Sequence, residues 1–224
     1  MKRPSIKTTL LLGLCLAFGS CHRQGPVLTS SDPNARSCSH NDEYFPKGSL
    51  SWGDEQIAWE TQYLQMMGES SLYRCPVAGA EPTVRFLWDR SLSRPIAVNL
   101  SIHPDGTGEV GVRMLAHGGM LPPLLLGQKE IESKVWYQRT IDQRKAVGKE
   151  QVNKVLSLLG GVVFLTDHNG PNTTDGSDWI FETEEAGRYK VVDFRNTPPE
   201  AARTLGLFMV RDLGGVPVSD REVY

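Results

Sequence analysis

A polar loop from Asp167 to Asp178 holds the residues best suited to chemistry. Asp167, Asn169, Asp175 and Asp178 offer carboxylate and amide oxygens in a turn-rich segment, and such hard oxygen ligands suit Ca²⁺. The spacing does not match an EF-hand loop, because Pro171 stands where a third ligand is needed and the closing glutamate is missing. Asp, Asn, Gly and Ser also make turns. We therefore expect no metal and no cofactor, with these four residues as weak metal candidates.

The histidines are the candidate general bases, above all His168 in this loop and His103 beside a predicted turn. No H-E-x-x-H, G-x-S-x-G, S-x-x-K or C-x-x-C motif occurs. A triad can still assemble from distant loops, because triads are defined by geometry rather than by chain order. We predict no catalytic residue. The alternative is a hydrolase whose site is assembled from loops around His168 or His103.

The run Gly106–Gly111 matches the dinucleotide pattern G-x-G-x-x-G. That pattern binds pyrophosphate only when a helix begins directly behind it. Here Val110, Val112 and Met114 alternate with polar residues, which indicates a strand. Together with the alternating run Ile96–His103, they predict a β-hairpin with one apolar face.

The elements that must position these residues alternate irregularly between helix and strand. Helices are predicted from Asp54, over Glu150–Leu159, and behind a Thr197–Glu200 capping box with proline at the first helical position. Strands that are grouped between helices are typical of an α+β fold. We predict an antiparallel sheet of about five to six strands, with two or three helices packed mainly on one face.

The N-terminus resembles an export signal. Residues Met1–Lys7 carry three positive charges, and the almost wholly apolar run Thr8–Phe18 is too short to span a bilayer permanently. We assign residues 1–20 to a signal peptide. Phe18-Gly19-Ser20-Cys21 resembles a bacterial lipobox, whereas Ala17-Phe18-Gly19 fits ordinary cleavage.

Cysteine counting favours lipidation. Ordinary cleavage leaves Cys21, Cys38 and Cys75, an odd number in an oxidising compartment, whereas acylation of Cys21 leaves one pair. We expect acylation, as with palmitate, at Cys21 and a Cys38–Cys75 disulfide. The protein then faces the periplasm from the cell envelope with the lipid bilayer as partner. His22 is not the aspartate of an inner-membrane retention signal, which favours the outer membrane. The alternative is a soluble protein that is secreted or stays in the periplasm.

The mature chain is organised around one domain. We expect a flexible tether at residues 21–50, a single α+β domain at 51–215 and a C-terminal tail at 216–224. Loss of the signal moves the formal charge from −2 to −5, and the chain has no basic block. Nucleic acid is therefore not an expected partner.

Three stretches resemble a family of uncharacterised exported bacterial proteins of lipoprotein type. They are Tyr73–Val98, Asp175–Glu182 (DGSDWIFE) and Gly187–Asp193 (GRYKVVD), and the resemblance extends from Trp52 to Gly215. It implies export and a small α+β domain, but no activity and no catalytic residue.

Two classes of function are left. The absence of linear catalytic motifs favours a non-enzymatic binding or envelope-assembly module, whose partner is an unknown envelope protein or ligand. An exported hydrolase is the alternative, and a cleft that joins a histidine, a carboxylate and a hydroxyl would favour it.

Overall fold

One antiparallel sheet organises the computed structural model of the chain, which describes residues 28–29, 43–74, 81–90, 93–116, 138–164 and 176–219. Its strands are β1 (Leu28–Thr29), β2 (Thr83–Arg90), β3 (Ile96–Ile102), β4 (Gly108–Leu115), β5 (Arg139–Val147), β6 (Ser177–Glu185) and β7 (Arg188–Arg195). The order across the sheet is β1-β7-β6-β2-β3-β4-β5. Six of these strands are long, and β1 adds only two residues at one edge. The predicted α+β fold is confirmed.

Among the described residues, three helices cover the sheet. Helix α1 (Asp54–Met67) packs on one face, whereas α2 (Lys149–Leu159) and α3 (Glu200–Leu207) pack on the other. Helix α3 continues into a π-helical segment, Phe208–Leu213, on that second face. None of the helices among the described residues is long and apolar enough to cross a membrane.

The face under α2 and α3 is mainly apolar. Strand alternation places Phe86, Trp88, Trp179 and Phe181 on it, all fully buried. The ring centroids of Phe86 and Phe181 lie 4.6 Å apart, and those of Trp88 and Trp179 lie 4.7 Å apart. Gly206 lets α3 approach these rings, because a Cβ there would lie 2.8 Å from both Phe86 and Trp179. The two tryptophans therefore belong to the core, as their alternation predicts.

The face under α1 is different, because its apolar centre is bordered by buried charged groups. Leu87, Ala97 and Ile180 pack against α1. The same strands place charged side chains beside them, and α1 itself turns Glu60 inward together with Gln56. The buried charged residues of this face are Glu60, Glu69, Arg85, Asp178, Glu182, Glu184, Asp193 and Arg195.

The predicted hairpin is confirmed. Strands β3 and β4 pair antiparallel, and the His103 amide donates to the Thr107 carbonyl across the turn at 2.9 Å. Gly106 has φ 85°, a left-handed conformation that favours glycine. No helix follows the glycine run, so the dinucleotide-binding interpretation is excluded.

The capping-box prediction is wrong. Helix α3 begins at Glu200 with Pro199 at the N-cap position, and no side chain caps it. Thr197 is exposed, and its amide bonds to the Arg195 carbonyl in a turn. Two consecutive prolines hold the chain extended, so the helix starts later than the motif suggests.

Chain segments outside the predicted domain limits also contribute to the core. Tyr44, Phe45 and Leu50 are buried under the α1 face, and the Tyr44 hydroxyl donates to the Glu69 carbonyl at 2.6 Å. Val216 is buried against the α2 and α3 face. Residues 43–50 and 216–218 therefore belong to the packed domain.

Candidate functional site

The α1-covered face of the sheet carries the polar groups that the fold brings together. We distinguish two parts of it. The carboxylate cluster comprises Glu60, Asp89 and Asp178, near the N-terminal half of α1. The polar pocket lies beyond the C-terminal end of α1, beside Glu69.

Three separate elements build the carboxylate cluster. Asp89 on β2 and Asp178 on β6 are direct cross-strand partners in the antiparallel register. Glu60 projects onto them from the buried side of α1. One carboxylate oxygen from each residue lies within 4.8 Å of the other two. Such a group of oxygens can share protons or hold a hard cation.

Burial and the negative charges of neighbouring carboxylates raise the pKa values of all three carboxyl groups. The pKa of Glu60 is raised well above its usual value, first by burial and then by the charge of Asp89. Burial, followed by the charge of Asp178, raises the pKa of Asp89 to about 7. Burial also raises the pKa of Asp178 to about 6, although nearby Arg195 opposes this effect.

An arginine and a fourth carboxylate border the cluster. Arg195 lies opposite Asp178 in the strand register, with Nη1 3.8 Å from Oδ1, and its guanidinium carbon lies 3.1 Å from the centre of the Trp52 ring. Asp193 accepts hydrogen bonds from the Ser51 amide at 3.0 Å and from Gln56 at 3.4 Å. Asp193 thus fixes the chain at the start of α1, which sets the position of Glu60.

A buried ion pair separates the cluster from the pocket. Arg85 donates to both oxygens of Glu182, at 2.6 and 2.7 Å, and to the Ser70 carbonyl at 2.7 Å. The Tyr189 hydroxyl donates to the same Glu182 at 2.8 Å. Bidentate arginine–carboxylate pairing of this kind fixes geometry. It therefore orients the loop that follows α1.

The polar pocket has a volume of about 210 Å³. Glu69 forms one wall and bonds to both Arg113 and Asn99. Arg144 stands on neighbouring β5, where it is largely exposed and lies 3.3 Å from Glu109. The side chains that line the pocket are almost all polar or charged: Glu69, Ser70, Thr83, Asn99, Ser101, Glu109, Arg113 and Arg144, with Leu72 as the apolar exception.

Gly111 forms the floor of this pocket. It lies opposite Arg144 in the register of β4 and β5. A Cβ built on Gly111 would meet no atom within 4 Å. The space next to the glycine is therefore open for the first atom of a side chain, and a larger side chain placed there would extend into the pocket.

His103 lies close to the pocket but outside its lining. Its Nδ1 is 2.7 Å from Glu81 Oε1, and both side chains are more than a third exposed. The hydrogen bond to Glu81 raises the pKa of His103. Within the described part of the chain, no serine or threonine hydroxyl bonds to the His103 ring. The geometry thus provides a histidine–carboxylate pair without a nucleophile bonded to it.

Most of the candidates from the sequence lie outside the described residues. These are Asp167, His168, Asn169 and Asp175 of the polar loop, and Cys21, Cys38 and Cys75. Asp178 is the one weak metal candidate that the structure describes, and it belongs to the carboxylate cluster. Its partners Glu60 and Asp89 were not anticipated, because they come from a helix and a strand that are distant in sequence.

Comparisons with known proteins give no further indication of function. No protein-family model, no curated protein and no solved structure matches this chain.

Proposed function

We propose that this chain is a non-enzymatic binding module of the cell envelope and that the polar pocket beside Glu69 is its ligand site. In this proposal an acylated Cys21 holds the protein at a membrane, preferably the outer membrane. The observation that carries the proposal is the convergence of charged and hydrogen-bonding side chains from four strands and the loop after α1 on one cavity.

The size of the pocket limits the ligand. Its volume of about 210 Å³ is below the range of roughly 300–1,000 Å³ that drug-sized ligands occupy. Pockets for such ligands are also mainly apolar, whereas Leu72 is the apolar exception in this lining. A compact polar molecule therefore fits better than an apolar or extended one.

The charges of the pocket suggest the groups that the ligand carries. Arg113 and Arg144 each keep donors beyond those used for their carboxylate partners, because a guanidinium has five N–H groups. Two guanidinium groups in the lining of one pocket favour a carboxylate ligand. Ser101 and Thr83 can bond to hydroxyl or amino groups of the same molecule. We therefore expect a small carboxylate that also carries hydrogen-bonding groups.

A substitution that fills the pocket tests this proposal. Gly111→Leu places a side chain in the open space above β4, whereas Ala58→Leu adds a similar side chain at an exposed position of α1 outside the pocket. The melting midpoints of the native protein and both variants are measured against a panel of free amino acids, hydroxy acids and dicarboxylates. A bound ligand raises the midpoint of the protein that binds it.

The expected result is that at least one carboxylate of the panel raises the midpoint of the native protein and of Ala58→Leu. The same compound leaves the midpoint of Gly111→Leu unchanged. A panel without any effect on the native protein overturns the proposal. So does a ligand that stabilises Gly111→Leu as strongly as it stabilises the native protein.

The alternative function, an exported hydrolase, has one observation in its favour. The His103–Glu81 pair lies near the pocket. Ser101, which lines the pocket, is on β3, and His103 follows it two positions later, directly after the strand ends. A histidine oriented by a carboxylate can activate a nucleophile or a water molecule. If purified protein hydrolyses a panel of ester and amide substrates, and His103→Gln abolishes this activity at unchanged stability, the hydrolase replaces the binding module.

A further inference from the structure

We propose that the carboxylate cluster Glu60, Asp89 and Asp178 is a binding site for a divalent cation of the calcium type. The site is independent of the polar pocket. It joins α1 to strands β2 and β6, so the cation would hold the helix on the sheet.

The spacing of the oxygens fits one calcium ion. Ca²⁺ binds oxygen ligands at about 2.3–2.6 Å, so two ligands on opposite sides of the ion lie roughly 5 Å apart. One oxygen from each of the three carboxylates lies within 4.8 Å of the other two. One calcium ion placed between these three oxygens can therefore be reached by a ligand from each residue. Mg²⁺ needs ligands at about 2.0–2.1 Å in near-ideal octahedral geometry, whereas Ca²⁺ accepts flexible geometries, so three carboxylates from separate elements suit calcium better.

Glu60 supplies a second observation that points to a ligand. Glu60 is only 1% exposed, and its side chain points from α1 at the pair of aspartates on the sheet. The Oε2 atom of Glu60 is buried without a hydrogen-bond partner among the described residues. Buried carboxylate oxygens are normally hydrogen-bonded, ion-paired or bound to a metal. The missing partner of Glu60 is thus a cation or a proton.

The charge balance around the cluster also favours a cation. Four carboxylates, those of Glu60, Asp89, Asp178 and Asp193, lie near the guanidinium of Arg195, and the charge of Arg90 acts on Asp89 as well. Arg195 cannot neutralise them all, and it is also stacked on Trp52. Arg90 directs its side chain to the Arg94 carbonyl, although its backbone amide bonds to Asp89. A divalent cation would remove most of the remaining negative charge.

Calorimetric titration tests the site directly. The mature protein is freed of metal with a chelator, exchanged into buffer at pH 7.5 and titrated with CaCl2 and, separately, with MgCl2. Glu60→Gln and Asp178→Asn each replace one ligand by a neutral group of the same shape. Glu55→Gln is the matched control, because it removes the same charge from an exposed position of the same helix.

We expect one calcium ion to bind the native protein and Glu55→Gln with equal affinity. Each cluster variant should bind at least about tenfold more weakly, because affinity depends on the number of charged ligands. Calcium should also raise the melting midpoint of the native protein but not of Glu60→Gln, and circular dichroism checks that each variant is folded.

Two results would overturn the site. One is an absence of calcium binding to the folded native protein, which would assign the cluster to shared protons. The other is equal calcium affinity in native protein, Glu60→Gln and Asp178→Asn. The pocket variant Gly111→Leu should keep full calcium binding, so a failure of this site and a failure of the ligand pocket are distinguished.

Discussion

Asp89 and Asp178 face each other as direct cross-strand partners on β2 and β6, beneath the buried side chain of Glu60. Like charges at directly opposed positions of a sheet destabilise it. A sheet can keep such a pair only if a proton or a cation reduces the repulsion. This relationship makes the stability of the domain depend on pH and on divalent cations.

The first prediction concerns pH in the absence of metal. The pKa of Asp89 is raised to about 7, whereas an unfolded aspartate loses its proton near 3.8. Between these values the folded state binds more protons than the unfolded state, so the free energy of unfolding falls as the pH rises from about 4 to 7. Asp178, with its pKa raised to about 6, adds to this fall. Above about pH 7 neither group changes stability further.

The variant Asp89→Asn isolates this effect. It should unfold in urea with a free energy that changes less between pH 5 and pH 8 than that of the native protein, by on the order of 2 kcal/mol. His103 has a raised pKa in both proteins, so its contribution cancels in the comparison. Equal pH dependence of the two proteins in chelator would contradict the assignment.

The second prediction concerns the buried Arg85–Glu182 pair. Arg85→Met leaves the fully buried Glu182 with the Tyr189 hydroxyl but without its bidentate partner. Loss of one partner of a buried ion pair costs about 3–5 kcal/mol. Urea unfolding should show this loss, and the double variant Arg85→Met, Glu182→Leu should be less destabilised than the sum of the single changes. A loss below about 1 kcal/mol in Arg85→Met would show that the pair contributes little.

The third prediction concerns the approach of α3 to the core. A methyl group at Gly206 would lie 2.8 Å from Phe86 and Trp179, so Gly206→Ala should destabilise the fold by about 1–3 kcal/mol. Helix propensity alone predicts the opposite, a gain of about 1 kcal/mol. Thermal unfolding decides between them, with Ser157→Ala on the exposed side of α2 as a control that should change little. A more stable Gly206→Ala would disprove the close contact.

The alternation of apolar residues made much of the fold predictable. The β3–β4 hairpin and the helix α2 follow directly from the sequence periodicity. Strand β5 was not predicted, because its residues are exposed along most of its length and show no apolar alternation. Its position is set by pairing with β4 at the edge of the sheet.

The carboxylate cluster could not be predicted from the sequence, although the sequence contains an unusual pattern of acidic residues in β6. In the run Asp178–Glu184 every second residue except Ile180 is acidic, which is unusual for a strand with both faces buried. The same period places Arg85 and Asp89 on the face opposite the aromatic core residues of β2. Their distance from Glu60 depends on how α1 packs, and this packing is a tertiary property that local spacing does not encode.

The fourth prediction concerns the N-terminus. Acylation of Cys21 should appear as an added lipid mass on the first residue of the mature protein made in an exporting bacterium. Cys21→Ser should remove that mass and release the protein from the membrane fraction, because two or more acyl chains are needed for stable anchoring. Mass spectrometry of the N-terminal peptide gives the answer. A free N-terminus at Ser20 or His22 without acyl mass would establish ordinary cleavage instead.

The claim that the carboxylate cluster on the α1-covered face binds a divalent cation is tested most directly by anomalous diffraction from crystals grown with a calcium-mimicking lanthanide such as Tb³⁺. One strong peak is expected between Glu60, Asp89 and Asp178, with oxygen ligands from all three at about 2.3–2.6 Å. Peaks confined to exposed carboxylates, with the carboxylate cluster unoccupied at saturating Tb³⁺, would contradict the claim.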